Sequence, residues 1–275
     1  IELAAARLRV LTPQQILERL DQRFALLRSS SANHNSRHAT LHNTITWSWD
    51  LLSPAEQDAF AQLSLFSQGF DLAAAEAAID LSAYPEEFTI DVVQRLVEKN
   101  LLRDREQKEQ RIFFMYESIR DFAHEKFNAM PHAAEARQRW RTWLLDACHP
   151  LWESRQKGED PTAWQKLSSH LDALIEIADD EDNTREERAW ATIYATTLLV
   201  SQGGTELPTG LIRSSLGAYG LEIDQDISEI NLDKAPQEVH WLTMLMAQFT
   251  LRKDITRAGE LIDLIPANSP ALFDA

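Results

Sequence analysis

One short stretch of this chain reads as paired strands, and nearly everything around it reads as helix. Residues 101–105 and 111–115 are strand candidates, and the charged EQKEQ between them suits a hairpin turn. On the N-terminal side, Ser53, Pro54 and Glu56 spell a helix start, with a capping serine, proline at the first position and a glutamate that completes a capping box. Phe60, Leu63, Leu65 and Phe66 follow, and the segment stops near Gly69. Asp71 caps a second helix to about Ile79, and Thr89 or Asp91 begins a third with Val92, Val93, Leu96 and Val97 apolar. After the hairpin, residues 117–127 return to helix. Three helices, a two-stranded wing and a further helix describe a winged-helix domain over about residues 51–130.

The flanks are helical too. Thr12 and Pro13 open a helix whose Ile16, Leu17, Leu20, Phe24 and Leu27 share a face, residues 29–39 form a polar loop, and residues 40–52 carry Leu41, Ile45, Trp49 and Leu52 on one side. After Pro131 we expect helices at about 132–157, 162–179, 185–202, 207–218, 236–251 and 254–265. Short connections between them imply antiparallel pairs. Residues 238–265 come nearest to a helix–turn–helix unit of the tetratricopeptide kind, with Trp241, Leu245, Ala258 and Leu261 at packing positions. The expected fold is mainly α: a linking helical segment (1–50), the winged helix (51–130) and an antiparallel helical-repeat, tetratricopeptide-like array (131–275). The opening lacks an initiator Met and reads as a helix entered part-way, as in a fragment of a longer protein.

Charge limits what such a domain does. The formal net charge is −16, and residues 51–130 hold 15 Asp or Glu against 8 Lys or Arg. The expected recognition helix offers only Arg95 and Lys99 against Asp91 and Glu98, which repels a duplex. The single cysteine, Cys148, fits a reducing compartment, no apolar run reaches the ~20 residues that span a bilayer, and we expect a cytoplasmic protein. His34, His38 and His42 recur every four residues, but His34 lies in the expected loop and no carboxylate or thiol stands nearby. Cys148 and His149 are sequence neighbours on different helix faces, not a catalytic pair. The acidic run at residues 179–182 lacks the spaced ligands and turn glycine of a calcium loop. The eight tryptophans fall mostly in apolar stripes, and an exposed one would mark a partner groove. We expect no catalytic residue and no metal site.

The order of motifs carries a resemblance. IELAAARLR, RHATLHNTITWSWDLL, SPAEQDAFAQLSLFSQGFDLAAAEAA, VVQRLVEKNLL and FMYESIRDFAHEKF together resemble the C-terminal half of bacterial NB-ARC-type, STAND-class signalling ATPases, which are often fused to transcription factors or kinases. The match covers residues 1–130 well and 131–275 in architecture. It implies an ATPase core, with ATP or ADP and Mg²⁺, N-terminal to these residues. No glycine here is followed by Lys, so no phosphate-binding loop is present and this chain is not expected to be an enzyme. Met115, Tyr116 and Glu117 align with the family's Met-His-Asp nucleotide-sensing triplet, and Arg120 extends the match. Tyr116 stands where the family has His, and a phenol cannot become cationic near neutral pH. Tyr116 and Glu117 also suit a structural role, capping the helix and packing the domain.

The function implied is regulation. The winged helix and repeats would control a nucleotide-dependent switch, with the chain's own ATPase core and a protein or small-molecule signal as partners. The competing expectation is a DNA-binding winged-helix transcription regulator with a helical dimerisation region.

Overall fold

The computed structural model describes residues 45, 46, 48–107, 110–201, 206–222, 231–251 and 254–272. The expected helices before residue 45 and the three histidines lie outside them. The chain divides into two compact units, 1–140 and 141–275.

In the first unit, helix α1 (Pro54–Leu63) starts as its sequence spells it. Ser53 Oγ accepts from the Glu56 N–H at 3.3 Å, and the Glu56 carboxylate accepts from the Ser53 N–H at 2.8 Å. Helix α2 (Leu72–Ala78) is capped by Asp71, whose Oδ1 accepts from Ala74 N–H at 2.8 Å. Helix α3 (Thr89–Glu98) begins at Thr89, one of the two expected starts, with Phe88 at the N-cap position and no side-chain capping bond. Its end is set by Asn100, which takes a left-handed φ of 58°. Asparagine tolerates that conformation. The turn lets Leu101 and Leu102 both donate to the Leu96 carbonyl, at 3.0 and 3.2 Å, and both side chains are buried.

Closing the helix this way delays the hairpin. Strand β1 (Arg103–Gln107) begins two residues later than expected and pairs antiparallel with β2 (Gln110–Phe114), Arg103 opposite Phe114. A third short piece joins the wing, for Phe70 and Phe113 exchange backbone hydrogen bonds at 2.9 and 2.7 Å. Helix α4 (Glu117–Asn128) then packs on α1. Phe60, Leu63, Leu96, Leu102, Phe122 and Phe127 are the largest buried side chains of this unit. Trp49, in the helical segment before α1, sets its ring 6.0 Å from both Phe60 and Phe122.

Helix α5 (Ala133–Lys157) contains the division between the units. Beyond it stand α6 (Ala163–Ser168), α7 (Leu171–Asp179), α8 (Arg185–Ser201), α9 (Glu206–Gly217), α10 (Gln237–Leu251) and α11 (Ile255–Asp263), then a 3₁₀ turn, Pro270–Leu272. The helix expected over 162–179 is two, because Ser168 and Ser169 turn their hydroxyls onto the carbonyls of Trp164 and Lys166 at 2.7 and 2.6 Å and the chain breaks at His170. Such local bonds compete with helix continuation. Helix α8 is central, touching α7, α9 and α10. Buried Arg188 on α8 donates to the Ala178 carbonyl near the end of α7 at 3.2 Å and to Ser214 on α9 at 2.8 Å. A cation there meets the negative end of the helix dipole. Helices α10 and α11 pack together with Trp241, Leu245, Ala258 and Leu261 buried. Among the described residues no helix is long and apolar enough to cross a membrane.

The wing depends on Gly69. Its φ is +97°, and a Cβ there would stand 2.7 Å from the Phe113 carbonyl oxygen, the atom that accepts from Phe70 N–H. Gly69→Ala is expected to destabilise the first unit by about 1–3 kcal/mol, from forced φ and a broken bridge together. Chemical unfolding followed by tryptophan fluorescence measures this.

Candidate functional site

The helix a winged-helix domain usually presents to a duplex is α3, so its surface decides what the domain can hold. Its buried stripe is Val92, Val93 and Leu96. Its exposed residues are Ile90, Asp91, Gln94 and Glu98, with Phe88 exposed just before the helix. Gln94 donates to Glu98 at 2.9 Å along that face. The two cations turn elsewhere. Lys99 Nζ lies 2.6 and 2.7 Å from the two Glu56 oxygens, and Arg95 Nε donates to Glu56 at 3.0 Å while its Nη2 pairs with Glu87.

Glu56 therefore serves two structures. It closes the capping box of α1 and anchors Arg95 and Lys99 of α3, with only 2% of its side chain exposed. Burial pushes its carboxyl pKa up. The Lys99 hydrogen bond, the Ser53 N–H and the charges of Lys99 and Arg95 outweigh that, and the net shift is downward from the ordinary 4.5. The sequence reading found the cap and not the cluster, since Glu56 and its cations are about 40 residues apart in sequence. The one available signal was the four-residue spacing of Arg95 and Lys99, which puts both on one helix face.

The sensor-like residues lie at the end of β2 and the start of α4. Tyr116 is at the N-cap of α4 but its side chain makes no capping bond. Its ring is 54% exposed, set edge-on to Phe114 at 6.0 Å with the Arg103 guanidinium 5.8 Å from its centroid. Met115 and Arg120 are half-buried and Glu117 is exposed. Tyr116 is thus a surface side chain set against Phe114 and Arg103. The wing adds cations of its own: Arg105 lies 5.5 Å from the Phe114 ring centroid, and Arg111 sits 3.5 Å from Asp104.

In the second unit, Cys148 is fully buried and burial pushes its thiol up to about 12. His149 bonds the Tyr194 hydroxyl at 2.7 Å rather than the cysteine. Asp180 Oδ1 accepts from Asp182 N–H at 3.0 Å, so the acidic run is in part a self-bonded turn. Among the described residues no group of three or more His, Cys, Asp or Glu is placed to hold a metal. The tryptophans gather: Trp152 lies 4.8 Å from Trp241 and 6.1 Å from Trp190, and Trp190 stacks on Tyr194 at 5.7 Å.

This chain is similar to proteins of mycobacteria. It is 35% identical over 192 residues, 65% of the chain, to a Mycobacterium tuberculosis (strain H37Rv) protein named "Putative HTH-type transcriptional regulator". The same figures hold for a Mycobacterium bovis protein of the same description. A second M. tuberculosis protein, described as uncharacterized, is 33% identical over 148 residues, 52% of the chain. The chain spans 22% of the length of the first relatives and 37% of the last. No protein-family model matches it, and no solved structure does.

The Glu56 cluster sets a pH dependence. A carboxyl whose folded pKa is lowered stabilises the fold fully above its unfolded value, and loses that contribution as pH falls through the folded value. Stability is therefore expected to fall from about pH 4.5 downward. Glu56→Gln is expected to cost about 1–3 kcal/mol at neutral pH and to flatten the acid limb. Urea midpoints of both proteins across the acid range measure it.

Proposed function

We propose that this chain is the regulatory segment of a transcription regulator of the signalling-ATPase kind, in which the winged helix meets protein and the helical unit receives a signal. The observation that carries the reading is the solvent face of α3. It offers Phe88, Ile90, Asp91, Gln94 and Glu98, while Arg95 and Lys99 are held by Glu56 and Glu87. Affinity for a duplex comes chiefly from Lys and Arg on phosphates. A helix with apolar and acidic side chains outward suits a protein surface instead.

Four features support the wider reading. The relatives' names support a role in transcription. The ordered motifs of the first unit support a neighbouring ATPase core that binds ATP or ADP with Mg²⁺. Exposed Tyr116, at the position of the family's sensor residue, supports contact between this unit and that core. The helix pairs of the second unit support signal reception of the tetratricopeptide-like sort. A signal can move such a switch only by binding one state more tightly than the other. The reading places the whole in the cytoplasm.

A second reading has its own observation. The wing carries Arg103, Arg105 and Arg111, all exposed, and the relatives are named as helix-turn-helix regulators. A domain that touched DNA through the wing, with the helical unit as dimerisation region, would use them. Fluorescence anisotropy of this chain with labelled duplex, random and genomic, separates the two. We expect binding no tighter than about 10⁻⁴ M at physiological salt, the weak end of non-specific association. Submicromolar binding that falls on Arg103→Ala and Arg105→Ala would instead establish the wing as a DNA reader.

A further inference from the structure

The wing sorts its charges by face. Strand β1 alternates basic and acidic residues, Arg103, Asp104, Arg105 and Glu106, and successive side chains of a strand point to opposite sides. The register sets Arg103 opposite Phe114 and Arg105 opposite Ile112 on one face. Asp104 opposite Phe113 and Glu106 opposite Arg111 take the other. On that second face opposite charges meet, with Arg111 3.5 Å from Asp104. Of the charged residues of the two strands, the first face carries only Arg103 and Arg105.

Both of these arginines are exposed, and neither has a carboxylate within ion-pair reach among the described residues. Each guanidinium sits over a ring instead, Arg103 5.8 Å from the Tyr116 centroid and Arg105 5.5 Å from that of Phe114. The two rings are themselves edge to face at 6.0 Å. Arg103 has one further contact, Nη1 donating to Asn100 Oδ1 at 3.4 Å. A guanidinium settled on an aromatic ring keeps its charge and its donor fork, and less freedom is lost when it meets a planar anion. Charge on an exposed strand discourages pairing with other strands, a purpose that either sign meets. It does not call for two neighbouring arginines without counter-charges in a chain of formal charge −16.

We propose that this face of the wing docks an extended acidic segment of a partner protein, whose carboxylates two residues apart meet Arg103 and Arg105. The spacing fits, because residues two apart on any strand are about 6.6 Å apart. Arginine and carboxylate pair through two parallel charge-assisted hydrogen bonds, so two such pairs are a specific contact. A duplex is the poorer match. Its affinity draws on many phosphate contacts, roughly 6–10 in a typical case. This face offers two cations in a domain with 15 Asp or Glu against 8 Lys or Arg, and phosphates beyond the pair would meet repulsion. Such docking deepens the proposed protein-binding role of the winged helix and rests on it, acting through the wing rather than α3.

Fluorescence anisotropy of a labelled peptide of alternating Glu and Ala, titrated with the whole chain at low and at physiological salt, tests the docking. Saturable binding below millimolar protein is expected, weakened by salt, and at least about tenfold tighter than that of the same peptide with Gln for Glu. Arg103→Gln and Arg105→Gln should each weaken it by about threefold to tenfold. Arg111→Gln makes the same change in net charge on the opposite face and should alter it by less than about twofold. All three side chains are exposed, so the variants are expected to fold, which circular dichroism checks. The proposal is overturned if no binding occurs at millimolar concentration, if the Gln peptide binds as well, or if Arg111→Gln weakens binding as much as the other two. A labelled duplex run in parallel separates the readings. Submicromolar duplex binding lost with Arg103 and Arg105 overturns both this docking and the protein-binding role, whereas failure of peptide and duplex alike overturns the docking alone.

Discussion

The burial of the Glu56 carboxylate is the constraint on which the winged-helix unit depends. A carboxylate that is 2% exposed needs cations and donors close by, and here they come from two directions. Its own helix supplies the Ser53 N–H, and α3 supplies Lys99 and Arg95. The result joins the start of α1 to the end of α3, two helices in contact whose Phe60, Leu63 and Leu96 are all buried. Because Arg95 and Lys99 are about a third exposed, the cluster is partly screened by water. Its larger effect is on what α3 has left to offer, since the only two basic residues of that helix and its cap are already engaged.

That assignment of charge links fold to function. A helix that reads a duplex needs cations free to reach phosphates. Here the outward face is apolar and acidic, in a chain with a formal charge of −16. The second unit is organised differently. Arg188 and the Thr192–Ser215 hydrogen bond of 2.6 Å tie α8 to its neighbours through polar contacts, while the aromatic side chains of α5, α8 and α10 gather on another side of it.

Much of this architecture was legible in the residues. The Ser53–Pro54–Glu56 start and the Asp71 cap are local signals, and local bonds formed them; the hairpin was legible too, but Glu106, Gln107 and Gln110 of the expected EQKEQ turn pair within its strands. The late start of β1 was not legible, because it follows from Asn100 turning left-handed and from Leu96 accepting two N–H groups. The break at His170 was hidden by continuous apolar periodicity, which says nothing about serine hydroxyls turning back onto carbonyls. The candidate sites were less legible still. Tyr116 could be placed by motif, but its exposure depends on the wing. Glu56 with Lys99, and Trp152 with Trp241, meet only after the chain has folded.

Cys148 gives the helical unit a built-in reporter. It is the chain's only thiol, fully buried and held protonated well above neutral pH. Only thiolate reacts with disulfide and maleimide reagents, and only in conformations that admit them. Its rate of labelling therefore measures how often the packing around α5 opens, with no mutation needed. Any molecule that binds and tightens this unit lowers the logarithm of that rate in proportion to the stability it adds. A single buried side chain thus turns the unit's internal motion into a quantity read from one residue.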